Sequence, residues 1–326
     1  MSRIVITGMG VISALGNSVD ENQNALRKET CGLSSLEFLK TKFADASRFG
    51  EIKIDTAELK EKLSVKVKGA TRTDLLGLHA LNEAIQNSGL SHSEIISDET
   101  AFVGASTVGG MCLTDELYRD SNNSSGHGSD YLTSYDCGSP ALFLQQHYRF
   151  TGIVNSINTA CSSSANAIMF GARLIKNGLA KRAIVGGMDS LAKFTINGFN
   201  SLGILAPQFC KPFDRERNGL NLGEGAAFLV LEKEEDAGHK KCYAVISGYG
   251  NANDAFHPSS LSENGEGPYR AMGKALNVAA LNSSQINFVN THGTGTENND
   301  EVEGKAMQRI FESVPPFISS KSKIGH

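Results

Sequence analysis

Three short stretches carry residues able to do covalent chemistry: Thr159-Ala160-Cys161-Ser162-Ser163-Ser164, Thr291-His292-Gly293-Thr294-Gly295-Thr296 and Lys321-Ser322-Lys323-Ile324-Gly325-His326. A thiol and two imidazoles form a working set for moving acyl groups between thioesters. Cys161 follows the apolar run Ile153 to Asn158 and precedes small residues, the pattern of a strand turning into a helix. Helix N–H groups and the helix dipole at such a turn favour thiolate over thiol, and small neighbours let a substrate approach. His292 and His326 each sit beside glycine, where backbone can come close to a ligand. Asp300 and Glu303 lie three apart on a predicted helix after His292, hence on one face, and Glu303 is placed to pair with Lys321 and stiffen the loop. Cys31, Cys112, Cys137, Cys210 and Cys242 read as packing cysteines. His79, His92, His127, His147 and His239 read as ordinary surface or core histidines, and His257 stays open in its Asn-rich loop. A metal centre built on Cys161, His292 and His326 lacks the short-spaced ligand pair usual for zinc, so no metal and no cofactor are expected.

The elements that must hold these residues alternate. Arg3 to Thr7 reads as a buried strand closed by Gly8 and Gly10. Ser18 caps a helix running to about Glu29. Thr73 to Gln86 is helical, with Leu75, Leu76, Leu78, Leu81 and Ile85 in one stripe. Ala101 to Gly104, Ile153 to Asn158, Arg182 to Gly186, Ala226 to Glu232, Tyr243 to Tyr249 and Ile286 to Thr291 read as strands. Ser162 to Lys176, Pro268 to Ala280 and Glu301 to Phe311 read as helices. Residues 121–139 form a long polar loop, mobile or lid-like. The alternation favours a layered α/β fold with parallel strands and crossover helices. Strand–turn–helix units at 153–176 and 286–311 hint at two related halves.

A chain of 326 residues can bury a large core as one domain or two halves. A net charge of −4 points to neither nucleic acid nor an anionic membrane. The sequence contains no apolar run of the ~18 residues needed to span a bilayer. The N-terminus reads as a first strand, not a signal peptide. Six scattered cysteines without a Cys-x-x-Cys pair argue against a disulfide scaffold and suit a reducing cytoplasm.

Taken in order, the motifs resemble the β-ketoacyl-[acyl-carrier-protein] synthase family, the decarboxylating condensing enzymes of fatty-acid and polyketide assembly. They are Val5 to Gly16, Gly104 to Gly110, Thr159 to Ser163, Lys211-Pro212-Phe213-Asp214-Arg215 with Gly223 to Ala226, His292 to Thr296 with Asp300 and Glu303, and Lys321 to His326. The resemblance covers nearly the whole chain. It implies the thiolase fold, layered αβαβα with two related halves, here 1–245 with the nucleophile and 246–326 with the two histidines, the second half incomplete. It implies that Cys161 accepts the acyl group, that His292 and His326 bind the malonyl thioester carbonyl, and that Lys321 with Glu303 holds and tunes them. Thr294 and Thr296 would line the malonyl pocket, and Val108 stands where the family limits acyl-chain depth.

The resemblance also implies an acyl carrier protein partner and a homodimer. Carrier proteins are acidic, so Lys66, Lys68 and Arg72 in the basic run 60–72 are the docking candidates; an ordinary solvated face is the competing reading. Two departures stand out. The triplet after the cysteine is Ser-Ser-Ser, which leaves fatty-acid and polyketide or polyene pathways open. Family chains continue beyond the second histidine into closing strands and a Gly-Phe-Gly-Gly-type loop that completes the oxyanion hole. Loss of one oxyanion donor typically costs ~10²–10³ in rate, so a truncated, weakly active or inactive form is expected. The competing functions are a non-catalytic chain-length-factor type partner, a thiolase and a cysteine hydrolase. The first usually lacks the cysteine, the second needs another cysteine after Cys242, and the third has no residue placed to orient its base.

Overall fold

The computed structural model describes residues 3–123, 129–256 and 261–326; His127, His257 and the middle of the 121–139 loop lie outside them. Ten strands occur among the described residues: β1 Ile4–Ser13, β2 Phe49–Gly50, β3 Thr100–Ala105, β4 Val154–Ile157, β5 Arg182–Asp189, β6 Leu222–Gly223, β7 Gly225–Lys233, β8 Ala244–Ile246, β9 Val289–Asn290 and β10 Phe317–Ile318. The chain divides into two compact units. The first comprises Met1–Thr30, Ile52–Ile196 and Glu224–Ile246, the second Cys31–Glu51, Asn197–Gly223 and Ser247–His326. Each is built from three chain segments, so neither coincides with 1–245 or 246–326.

The first unit carries a six-stranded sheet in the order β4-β3-β5-β7-β1-β8. β3 runs parallel to β4 and β5, but β5–β7, β7–β1 and β1–β8 are antiparallel. The expectation of parallel strands throughout therefore fails for half the sheet. Apolar runs report burial on both faces, and a central strand of either direction shares that property.

Helices cover both faces. The helix Arg72–Ser88 starts in a capping box between Thr71 and Asp74 and ends at Gly89 in the left-handed region. Its Leu75, Leu76, Leu78 and Leu81 are fully buried, and its Gly77 abuts Met188 of β5. The helix Ser163–Lys176 lies on the other face, where its Gly171 meets Val185 and Ala183. Alternation along β5 separates Met188 from Val185 and fixes the two faces.

β1 continues through Gly8 and Gly10, with a shift in its register against β7 between Ile6 and Gly8, where the sequence reads as a turn. A Cβ on Gly10 would lie 2.0 Å from the Ala80 carbonyl oxygen, and one on Gly8 2.5 Å from that of Ala84. These glycines admit the leucine-rich helix against the strand. The helix Ser139–Tyr148 is absent from the sequence reading; its Pro140 sits in the first turn, where proline fits.

The second unit contains two small parallel pairs, β2 with β6 and β9 with β10. Its helices Glu266–Ala279 and Glu297–Ile310 pack on each other. Both expected strand–turn–helix units are present, β4 before Ser163–Lys176 and β9 before Glu297–Ile310, though β9 is only two residues long.

Candidate active site

In the first unit, β4, β3 and β5 run parallel, with Ala105 opposite Ile157. Their carboxyl ends therefore open on one edge of the sheet, the usual place for a site in such folds. Three segments leave that edge: Asn158 to Cys161, Ser106 to Gly110, and Asp189 to Leu191.

The turn that carries Cys161 is tied by neutral groups close in sequence. Ala160 has φ +53, a left-handed value rare for alanine, so the chain reverses sharply just before the thiol. The Thr159 N–H donates to Ser163 Oγ at 2.9 Å, and that hydroxyl donates to the Ala160 carbonyl at 2.6 Å. Ser162 Oγ donates to the Thr159 carbonyl at 2.8 Å, and Asn166 Nδ2 to Thr159 Oγ1 at 2.8 Å. Ser163 and Asn166 are buried while Cys161 is exposed. The helix N-terminus is less open than expected, since the Ser162 and Ser163 N–H groups already donate to the Thr159 and Ala160 carbonyls. Asn166 belongs to this turn and was missed; an asparagine in the first turn of an otherwise apolar helix was the signal.

Beside this turn lies the loop of Val108. Asp189 Oδ1 accepts from Ser106 Oγ at 2.8 Å and from the N–H groups of Thr107 and Val108, both at 2.9 Å. Its Oδ2 accepts from Thr107 Oγ1 at 2.7 Å. Val108 is only 4% exposed. Cys137 donates to the Thr107 carbonyl at 3.3 Å and meets the Asn158 side chain; burial pushes its thiol above the usual range.

In the second unit the histidine turn is held through its backbone by two carboxyl groups. Glu303 Oε1 accepts the His292 N–H at 2.7 Å and Oε2 that of Gly293 at 2.8 Å. Asp300 Oδ1 accepts the Thr294 N–H at 2.9 Å, and Oδ2 accepts those of Gly295 at 3.1 Å and Phe213 at 2.7 Å. Four successive N–H groups thus meet two acids one helical turn apart, as the three-residue spacing required. Asp300 is 2% exposed. Glu303 thus grips the loop's main chain with both oxygens. Thr294 and Thr296 hydroxyls lie 2.8 Å apart.

The segment bearing His326 folds back onto this turn. Thr291 N–H and Oγ1 both donate to the Ile318 carbonyl, at 2.8 and 2.9 Å. Buried Ser319 donates to the Gly293 carbonyl at 2.7 Å. The His326 N–H donates to the Asn221 carbonyl at 2.7 Å, and the Gly223 N–H to the His326 carbonyl at 2.8 Å. A Cβ on Gly223 would sit 2.1 Å from the Ile324 carbonyl oxygen, so only glycine admits this segment. Asn221, buried, also accepts the Cys210 N–H and donates to Ser47 Oγ and the Gln208 carbonyl. Neither Ser319 nor Asn221 was foreseen, because their partners are distant in sequence.

His292 and His326 meet edge to face, ring centroids 5.5 Å apart, and His326 also touches Phe199. Burial, then the nearby Lys321 charge, lowers His292 to about 4. Burial, then His292 and Lys321, lowers His326 to about 3. Both imidazoles are therefore neutral at pH 7, and each keeps one N–H to donate.

Of the docking candidates, Lys66 and Lys68 are exposed. Arg72 is turned inward instead. Its guanidinium holds Glu224 at 2.6 Å and donates to the Ile52 and Ile54 carbonyls, with its side chain 12% exposed against 1% for Glu224. Glu224 in turn accepts the Ile52 and Leu191 N–H groups. Arg72 is thus a tie within the first unit, and the basic run misled because a buried partner 152 residues away is invisible in composition. No helix among the described residues is long and apolar enough to cross a membrane.

Comparisons with known proteins agree with these motifs. Residues 1–237 match the family described as Beta-ketoacyl synthase, N-terminal domain, and residues 243–326 its C-terminal domain. The chain is 30% identical to the 3-oxoacyl-[acyl-carrier-protein] synthase 2 of Rhizobium meliloti, covering 100% of this chain and 82% of that one. It is 32% identical to the enzyme of that name from Vibrio harveyi, covering 99% and 81%. Among solved structures it is similar to the ishigamide ketosynthase/chain length factor, with a TM-score of 0.93 at 26% identity, over 100% of this chain and 82% of that one. A beta-ketoacyl synthase from Burkholderia phymatum aligns with a TM-score of 0.86 at 27% identity, over 100% and 82%. With two matched domains and full-length relatives of the thiolase fold, the chain belongs to the β-ketoacyl synthase family.

Proposed function

We propose that this chain condenses an acyl thioester with a malonyl thioester carried on an acyl carrier protein, releasing CO₂. Cys161 attacks the acyl thioester carbonyl; its S–C bond forms as the carrier's S–C bond breaks, and the carrier thiol leaves with the proton. The malonyl thioester then loses CO₂, and the resulting enolate carbon attacks the acyl group on Cys161, releasing the thiol. His292 and His326 donate hydrogen bonds to the malonyl thioester oxygen as it gains charge. Thr294 and Thr296 line the malonyl side, Lys321 keeps positive charge beside the imidazoles, and Val108 bounds the acyl chain. The single observation that carries this reading is the pair of half-buried imidazoles meeting edge to face, with desolvation and the Lys321 charge favouring their neutral forms. A protonated pair would suit anion binding; a neutral pair suits a carbonyl on its way to an enolate.

Functionally, residues 1–245 act as the nucleophile half and 246–326 as the histidine half. Exposed Lys66 and Lys68 offer the acidic carrier a docking point. A homodimer suits β4, an end strand whose Val154, with the adjoining Ile153, is exposed. The scattered cysteines suit a cytoplasmic setting. Labelled acyl carrier protein should transfer its acyl group to the protein and not to Cys161→Ala; label retained in that variant removes the nucleophile assignment.

Similarity to a ketosynthase/chain length factor pair favours one second reading, a partner subunit that shapes a heterodimer. Cys161 argues against it, because such partners usually lack the cysteine. CO₂ release from malonyl carrier protein by the chain alone supports the enzyme; release only with a second chain, seen as a larger species on size exclusion, supports the partner.

A further inference from the structure

We propose that Asp189 is a positioning residue for acyl-chain length, acting on Val108 through the backbone of the Ser106–Gly109 loop. The inference rests on the reading that Val108 bounds the acyl site. Asp189 ends β5, beside β3, from which the loop leaves. One carboxyl group takes donors from three successive residues: the Ser106 hydroxyl, the Thr107 N–H and hydroxyl, and the Val108 N–H. Ser106 passes the constraint on, because its oxygen accepts the Gly109 N–H at 2.9 Å while its proton points to Asp189. Thr73 closes the far end by donating to the Gly109 carbonyl at 2.7 Å. Among the described residues the side-chain acceptor of the Val108 N–H is Asp189, so the carboxyl group helps set the height of the valine above the strand end.

The chemistry of the clamp makes its removal selective. Asp189→Asn keeps an oxygen for the three Oδ1 donors, and its amide nitrogen faces a Thr107 hydroxyl that can turn to accept. Asp189→Ala leaves four donors without their acceptor, and the loop must move to satisfy them. If the loop then yields room for chain atoms, each extra buried methylene is worth about fourfold in relative acylation.

The test is competitive acylation of Cys161 from a mixture of saturated acyl carrier proteins of graded length, read by intact mass. Asp189→Ala is expected to favour chains two methylenes longer than the preferred one by about fifteenfold relative to the unaltered protein. Asp189→Asn should keep most of the original profile, a rescue that a general loss of stability does not produce. If Asp189→Ala does not fold, Ser106→Ala carries the test in the same direction with a smaller shift. Val108→Ala separates the two ideas. If it lengthens the profile while Asp189→Ala and Ser106→Ala do not, the positioning role is wrong. If Val108→Ala itself leaves chain length unchanged, the reading of Val108 as the boundary fails first.

Discussion

The turn of Cys161 and the turn of His292 are both strand-to-helix reversals, yet they are held by different forces. Around Cys161 the side-chain groups that tie the turn are hydroxyls and two amides, Asn158 and Asn166, all within eight residues of each other. Around His292 they are two carboxyl groups that grip four successive backbone N–H groups, reinforced by Ser319 from elsewhere in the chain. Neutral local bonds fix the shape of the turn without bringing in a carboxyl group, which suits the anion that the proposed function forms at the thiol. Charge-assisted bonds are roughly twice as strong and hold backbone against a ligand that pulls on the neighbouring rings. The nucleophile's turn is a local design, whereas the histidine turn is a tertiary one.

The largest break in this contrast should come from Asp300→Ala. It strands the Phe213, Thr294 and Gly295 N–H groups in the interior and should cost ~3–5 kcal/mol by urea unfolding, with condensation lost. A cost near that of a surface change would mean the clamp does not hold the turn. Glu303→Gln offers one oxygen for two N–H groups, and about 2 kcal/mol should be lost. Ser163→Ala in the nucleophile's turn should cost only ~1 kcal/mol, as expected for neutral bonds. If it matched Asp300→Ala, the two turns would not differ in kind.

Acid gives a finer probe. Folded-state values near 4 for His292 and 3 for His326 lie below the ordinary 6.5. The unfolded chain therefore binds protons first as pH drops, so the stability these groups contribute is full above about pH 6.5 and is lost as pH falls through their folded values. Decarboxylation should stay level from neutral pH down to about 5 and fall near 4, where His292 protonates. Lys321→Ala removes a positive charge that lowers both rings, so the acid limb should move up by a fraction of a unit. A downward move would reverse the assigned sign.

What the residues reveal in advance follows the same division. The Ser18 cap, the leucine stripe of 75–85 and the strand-to-helix turn at Cys161 are short-range patterns, and each appears near its expected place. The shared face of Asp300 and Glu303 was legible too, but its targets were not, since backbone N–H groups leave no mark in a sequence. Gly8 and Gly10 look like turn residues because a close helix approach uses the same letter. Arg72 looked like part of a surface patch, and only the fold reveals Glu224 beneath it. Asp189 drew no reading from the sequence, because its partners lie beyond the end of the neighbouring strand, 81 to 83 residues away.

Because the acids at 300 and 303 hold residues 292–295 through their main chain, with the Thr294 hydroxyl accepting the Thr296 N–H, the shape of the histidine turn leans little on the side chain at 296. Thr296, half-exposed at the start of the helix, is therefore a position where the side chain can change without rebuilding the scaffold that presents the rings; on the proposed function, such a change retunes which extender unit is accepted.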